Sequence, residues 1–237
     1  MSNGAYVAAA RVAAALVITV ALGVQAWADL TFGTFTWAQL PGFFTPLAAL
    51  AGIAALLAAA RAGVYESGWV AILRISATTY LVVVGVVYWA LLAPFATPMF
   101  PWANAVLHGG AGAMLLIDWL YVGERRMVPL RQLWAVLIVP GIWLAYLWGR
   151  AFTDGWVPYP FLDPARGAGA IAATLTGFAI GGMAVAAALA WCARWSRRPA
   201  PPAPTQTPVA RGPQGTTSRS PRLAALPHAP RPLTWSG

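Results

Sequence analysis

The stretch Ile75-Ser76-Ala77-Thr78-Thr79-Tyr80-Leu81-Val82-Val83-Val84-Gly85-Val86-Val87-Tyr88-Trp89-Ala90-Leu91-Leu92-Ala93 carries no charged side chain. Its length is close to the roughly 20 residues of helix that cross a bilayer's hydrocarbon core. Five stretches of the same character flank it, at 12–28, 41–60, 102–122, 132–149 and 169–193. In hydrocarbon every backbone amide needs a partner within its own segment, so each stretch is expected to be a helix. The expected fold class is therefore all-α membrane. A six-transmembrane-helix bundle takes residues 1–195, and a tail takes 196–237. Composition agrees: the 237 residues are 59% hydrophobic and 9% charged, whereas a soluble domain carries about a quarter charged residues.

Charge placement gives the expected orientation. All 15 basic residues are arginine. Arg11 precedes the first span, Arg61 and Arg74 separate the second and third, and Arg125, Arg126 and Arg131 separate the fourth and fifth. Arg194, Arg197, Arg198, Arg211, Arg219, Arg222 and Arg231 follow the sixth, while Arg150 and Arg166 fall on the other side. Arginine-rich short loops stay in the cytoplasm. Both termini are then inside, as an even span count requires, and the arginine-free loops 29–40 and 94–101 face out. The net charge of +9 invites a nucleic-acid partner, but the arginines sit at span ends and in the tail, so none is expected. The partners expected are membrane lipids, and the location is a cell membrane crossed several times.

Two segments carry alternative readings. Arg11, the apolar run after it and Ala26-Trp27-Ala28 resemble a signal peptide with a small-residue cleavage site. Cleavage there would leave five spans in the same orientation. The run is long for a signal and merges into a span, so it is read as the first helix. After Trp195 the composition changes abruptly. Arg197-Arg198-Pro199-Ala200-Pro201-Pro202 opens a segment with too little apolar surface to offset its ordering entropy, and it is expected to be disordered. Such a tail either helps fix topology or is drawn to anionic headgroups of the inner leaflet.

Packing signals are ordinary. Gly177-Phe178-Ala179-Ile180-Gly181 is a small-xxx-small face, and Gly109, Gly110 and Gly112 thin the fourth span, so helices are expected to approach closely at both places. Pro140 is expected to kink the fifth span.

The residue inventory excludes several chemistries. Without lysine there is no retinal Schiff base. His228 lies in the tail, which leaves only His108 in a span and rules out a haem held by paired histidines. Cys192 is the only cysteine, so there is no thiol pair and no intrachain disulfide. No three or four zinc ligands cluster. Ion transport usually needs several intramembrane carboxylates, and only Asp118 lies near a span, at its interfacial end. No cofactor and no metal is expected.

His108 remains, about two turns into the fourth span, where an ionisable residue is a functional candidate. Phe43-Phe44-Thr45-Pro46 opens the second span, which descends from the same side, so Thr45 and His108 fall at similar depth. A hydroxyl with an imidazole as its base is the minimum for nucleophilic acyl transfer. The structural alternatives are an imidazole bonded to a neighbouring helix, and a Thr-Pro pair serving as N-cap and first helical residue.

From the second span to the sixth, roughly 40 to 190, the chain resembles the androgen-induced/FAR-seventeen-a type membrane family and its bacterial six-pass relatives, the Pr-six-Pr set. Four segments carry the resemblance. The first is Phe43-Phe44-Thr45, and the second runs from Leu73-Arg74-Ile75 to Val87-Tyr88-Trp89. The third is Ala105-Val106-Leu107-His108 with Leu115-Leu116-Ile117-Asp118-Trp119-Leu120. The fourth is Trp148-Gly149-Arg150 with Gly155-Trp156-Val157-Pro158-Tyr159-Pro160-Phe161-Leu162-Asp163, whose Pro-Tyr-Pro-Phe-Leu-Asp run is the most specific. The tail lies outside the resemblance.

Animal members of that family look like threonine hydrolases of fatty-acid esters of hydroxy fatty acids. The resemblance implies Thr45 as nucleophile, His108 as base and a bacterial plasma membrane as the setting. Thr36, in Phe35-Thr36-Trp37, is a rival that sits about nine residues too early. Ala48-Ala49 stands where the family commonly has Ser-Asn, and Gly112 where it commonly has proline. The lost polar pair would remove oxyanion donors, each worth roughly 3–4 kcal/mol in acyl-transfer enzymes. Arg150 and the 158–163 loop share the outer side. Arg150, Tyr159 and Asp163 are accordingly the expected substrate contacts, Arg150 by bidentate pairing with a lipid carboxylate. Interfacial anchoring is the alternative for Arg150, and the aromatic belt is the alternative for Tyr159 and Trp156. The functional expectation is an intramembrane hydrolase of lipid esters. A lipid-binding or structural protein on the same scaffold is the alternative, with a small transporter behind both.

Overall fold

The computed structural model describes residues 3–33, 36–63, 66–122 and 126–195. The chain divides into a unit Met1–Arg198 and a unit Pro199–Gly237, and everything described belongs to the first. The expected disorder of the tail and the tail's contribution to orientation lie outside the described residues. Among the described residues there is no strand.

The helices are α1 Asn3–Thr31, α2 Phe44–Ala62, α3 Gly68–Val87, α4 Pro101–Ala105, α5 Ala111–Tyr121, α6 Ile138–Asp154 and α7 Ala168–Trp195. A π turn, Tyr88–Leu92, extends α3, and a second, Val106–Gly110, joins α4 to α5. Five stretches are long and apolar enough to cross a membrane: Asn3–Thr31, Phe44–Ala62, Gly68–Phe95, Leu130–Asp154 and Ala168–Arg194. They have the character of an integral, multi-pass membrane protein. The fourth expected span is helical from 101 to 121, but Asn104, His108 and Asp118 dilute its hydropathy and it is not among the five.

The burial pattern explains why these helices stay together. Small side chains fill the interior: Ala15, Ala21, Ala48, Ala49, Ala55, Ala71, Ala111 and Ala186 are buried. Large aliphatic ones such as Leu16, Val20, Ile142 and Ile180 face outward. Lipid tails are as apolar as leucine, so outward leucines cost nothing there, and association rests on close packing of small residues. Central to the bundle is α3, which packs against α2, α5 and α7. Hydroxyls on the helices bond back to their own chain, as Thr19 Oγ1 does to Ala15 O at 2.8 Å and Thr174 Oγ1 to Ala170 O at 2.9 Å. This satisfies them without water.

The expected spans stopped at Arg11 and Arg74, but the helices run through both. The reason is a buried ion cluster at one end of the bundle. Arg11 Nε donates to Asp118 Oδ1 at 2.7 Å, and Arg74 Nη2 donates to Asp118 Oδ2 at 2.6 Å. Arg74 Nη1 donates to Glu66 Oε1 at 2.9 Å, and Arg11 Nη1 to the Ala59 carbonyl at 2.9 Å. The Arg126 backbone N–H donates to Glu66 Oε2 at 3.0 Å. The Arg74 guanidinium also lies 5.1 Å from the centre of the Trp119 ring. Asp118 is thus no lone interfacial carboxylate; it bridges two arginines. A charge with its full complement of partners no longer ends a helix.

Two packing expectations change and one is met. Pro140 falls in the first turn of α6, after the 3-10 segment Leu130–Leu137. A missing N–H costs little there, and the Val136 carbonyl that it would have served accepts from Tyr80 Oη at 2.8 Å. Gly177 and Gly181 meet nothing within 4 Å of an added Cβ, so that face of α7 is open. Close approach occurs on α5, at Gly112 as expected, and on α3 at Gly85. A Cβ at Gly112 would stand 3.1 Å from the Leu81 carbonyl oxygen, and one at Gly85 would stand 3.0 Å from that of His108. Gly112 therefore lets α5 touch the backbone of α3.

Candidate functional site

Thr45 and His108 meet. Thr45 is the second residue of α2; its N-cap is Phe43, with no side-chain cap. The Thr-Pro capping alternative is therefore not what forms, and the hydroxyl is free for other work. Thr45 Oγ1 lies 3.2 Å from His108 Nε2, and His108 Nδ1 lies 3.0 Å from the Asn104 carbonyl. A carbonyl only accepts, so Nδ1 carries the proton. Nε2 is then the bare nitrogen, and the Thr45 hydroxyl donates to it.

The π turns aim these groups. A π turn shifts the backbone bonds to i→i+5 and recurs at functional sites. One contains His108 and the other Tyr88. Their rings stack, with centroids 3.8 Å apart and planes 23° from parallel. Asn104 Nδ2 donates to Tyr88 Oη at 2.7 Å, and Trp89 Nε1 donates to the His108 carbonyl at 2.9 Å. The imidazole is held on its face, on its Nδ1 edge and through its own carbonyl. Only the edge toward Thr45 is left for chemistry.

Two cavities flank the pair. One, of about 360 Å³, is walled by apolar groups of α3, α6 and α7, among them Val83, Val84, Leu144 and Phe178. The other, of about 420 Å³, has polar groups in its wall: Gln25, Asp29 and Asn104. Thr45, Tyr88, Leu92, His108 and Tyr159 line both. The hydroxyl–imidazole pair stands on the partition.

Tyr159, from the Pro-Tyr-Pro-Phe-Leu-Asp run, is part of that partition. It is buried with Leu147, Leu162 and Ile171, and its oxygen accepts the Phe44 N–H at 2.9 Å. Burial pushes its phenol up to about 12, partly offset by the Phe44 amide. The run thus buttresses the N-terminus of α2. Arg150 and Asp163 lie outside both cavities. Arg150 donates to Asp154 Oδ2 (2.8 Å from Nε) and to the Ala38 carbonyl (2.7 Å from Nη1), and it stacks 5.1 Å from the Trp156 ring. Asp163 is exposed and caps a turn, accepting the Ala165 N–H at 2.8 Å. Thr36 is exposed, its N–H donating to Gln39 Oε1 at 2.7 Å. It lines neither cavity.

Tyr88, Asn104, Gln25 and Asp29 also belong to the site. Asn104 lies four residues before His108, the spacing at which side chains share a helix face. That signal was available. Tyr88 joins them only through tertiary packing. Among the described residues no group of three or more His, Cys, Asp or Glu is placed to hold a metal ion.

Fold and site together define a helical, multi-pass membrane protein with a threonine–histidine pair between two cavities. No family model matches the chain, and neither the curated proteins nor the solved structures give a significant match.

Proposed function

We propose that this chain is an intramembrane threonine hydrolase of lipid fatty-acid esters. It spans a bacterial plasma membrane six times with both termini inside, on the scaffold of the family it resembles. The observation that carries the reading is the Thr45 hydroxyl 3.2 Å from a histidine nitrogen whose opposite edge is fixed at 3.0 Å on a backbone carbonyl. Thr45 Oγ attacks the acyl carbonyl while its proton passes to His108 Nε2. The tetrahedral oxyanion collapses, the ester C–O bond breaks, and Nε2 returns the proton to the departing alcohol. A water then gives its proton to Nε2, its oxygen attacks the acyl-threonine, and Thr45 leaves reprotonated, releasing a fatty acid.

Ala48 and Ala49 are fully buried, so side chains at those positions pack in the core. The donor left for the oxyanion is the Tyr88 hydroxyl, which accepts from Asn104 and keeps its own proton; the positive end of the α2 dipole adds to it, although the Phe44 N–H is given to Tyr159 and Pro46 has none. With the segment 101–121 read as a span, His108 lies within the bilayer, between an apolar cavity and one with polar groups in its wall.

The test is labelling of purified membranes with a fluorophosphonate probe, in wild type, Thr45→Ala and His108→Ala. Labelling lost in Thr45→Ala and reduced in His108→Ala supports the hydrolase. Equal labelling of wild type and Thr45→Ala, or none in any protein, leaves the non-catalytic lipid-binding scaffold.

A further inference from the structure

The cavity that holds Gln25 and Asp29 has its own chemistry, and nothing in the hydrolytic step uses it. Both residues come from the last turns of α1, four apart. Gln25 Nε2 donates to Asp29 Oδ1 at 2.9 Å, which fixes the amide so that its oxygen points away from the carboxylate. That oxygen, Gln25 Oε1, is buried and has no hydrogen-bond partner. A buried acceptor without a partner is rare and costs on the order of 1–3 kcal/mol. Asp29 sits where a carboxylate is least welcome on helix grounds, in the final turn of Asn3–Thr31. The carbonyl end of the helix dipole already carries partial negative charge there. Of the described residues lining this cavity, Asp29 is the only Asp, Glu, Lys or Arg.

The Gln25 oxygen is closed off by its neighbours, so the acceptor that the cavity presents is the Asp29 carboxylate, held in place by the Gln25 amide. A carboxylate only accepts hydrogen bonds, and what pairs with it must bring donors and no negative charge. We infer that this cavity takes the alcohol portion of the ester, and that this portion bears hydroxyl or ammonium donors rather than a free carboxylate, with Asp29 as the recognition residue and Gln25 as its positioning residue. Thr45 and His108 stand between the two cavities, so the acyl chain lies in the apolar one and the donor-bearing head in the other. This selects against esters of hydroxy acids, whose carboxylate would face Asp29. Arg150, the arginine expected to pair with such a carboxylate, is bonded to Asp154 and the Ala38 carbonyl and lines neither cavity.

The inference rests on the hydrolase reading for its orientation, so its test is a binding measurement that needs no turnover. Three non-hydrolysable ether lipids of equal chain length are titrated into the detergent-solubilised full chain, displacing a fluorescent fatty alcohol. One carries a glycerol head, one an ethanolamine head and one a terminal carboxylate. Wild type is expected to bind the glycerol or the ethanolamine lipid at least about tenfold tighter than the carboxylate, since a site built for a donor rejects a ligand lacking it. Asp29→Asn is expected to narrow that ratio by recovering carboxylate binding, and Gln25→Met to weaken the donor-bearing lipids alone. Preference for glycerol identifies a polyol head, and preference for ethanolamine an ammonium head. Equal or tighter binding of the carboxylate by wild type overturns the inference, as does a ratio unmoved by Asp29→Asn in protein of unchanged thermal stability. Selective binding without fluorophosphonate labelling refutes the hydrolase alone; labelling without selectivity refutes this inference alone.

Discussion

The chain contains two polar clusters on one helical segment, and they behave in opposite ways. At one end Asp118 sits among Arg11, Arg74 and, through Arg74, Glu66; at the other His108 faces Thr45, Tyr88 and Asn104. Ten residues separate Asp118 from His108, roughly 15 Å along a helix. In the first cluster every charge meets its opposite, and both arginines are almost wholly enclosed, with side chains 4% exposed. In the second, Gln25 Oε1 is left unpartnered and cavities open on two sides. Polar groups that satisfy one another hold helices together, and the groups around His108 line open space as well. Polarity alone does not separate the two; saturation does.

The largest effect that would break this contrast is at the open cluster. His108→Ala is expected to lower ester hydrolysis by about 10²–10⁴-fold, with thermal stability nearly unchanged. Rates within a factor of two of wild type would remove His108 from the chemistry. The closed cluster should respond the other way. Arg74→Leu leaves Glu66 with only the Arg126 N–H and Asp118 with only Arg11; taking one partner from buried charges is expected to cost about 3–5 kcal/mol of stability, read as a fall in the midpoint of thermal unfolding in detergent. A variant as stable as wild type would show that the ion cluster is not what holds α1, α3 and α5.

Smaller effects sharpen the boundary. Gly85→Ala pushes a methyl group against the His108 carbonyl, so about 1–3 kcal/mol of stability and a measurable part of the activity should go together. Loss of stability with full activity would show that the π turn tolerates displacement. Tyr159→Phe removes the acceptor for the Phe44 amide and should cost about 1 kcal/mol. The folded-state phenol stands at about 12 against an ordinary 10.0. Its neutral form therefore favours folding fully below pH 10, and that contribution is lost as pH rises through 12. Tyr159→Phe should flatten this alkaline decline, which is followed by unfolding midpoints between those values.

Much of the fold was legible because apolar length is a local property. The six stretches are helical in the structure, and the helices' outer faces carry the leucines and isoleucines that a bilayer accepts. The closeness of Thr45 and His108 was legible as similar depth in two apolar segments of the same expected direction, while the contact at 3.2 Å was not, because it depends on how α2 and the π turn pack. Boundaries were not. Arg11 and Arg74 read as helix-ending charges, and only the carboxylates supplied by Asp118 and Glu66 from other segments make them interior residues. Pro140 read as a kink because its position in the first turn of α6 follows from the 3-10 segment before it.

What the sequence determines by itself is therefore the solvent and the secondary structure, because hydrocarbon demands internally bonded helices wherever a long apolar run occurs. What only the tertiary structure decides is which polar groups are spent. Arg150 pairs with Asp154 and Ala38, Asp163 caps a turn, and Gln25 is left one donor short. Partnership depends on segments far apart in the chain arriving at the same place, and no local pattern records that arrival.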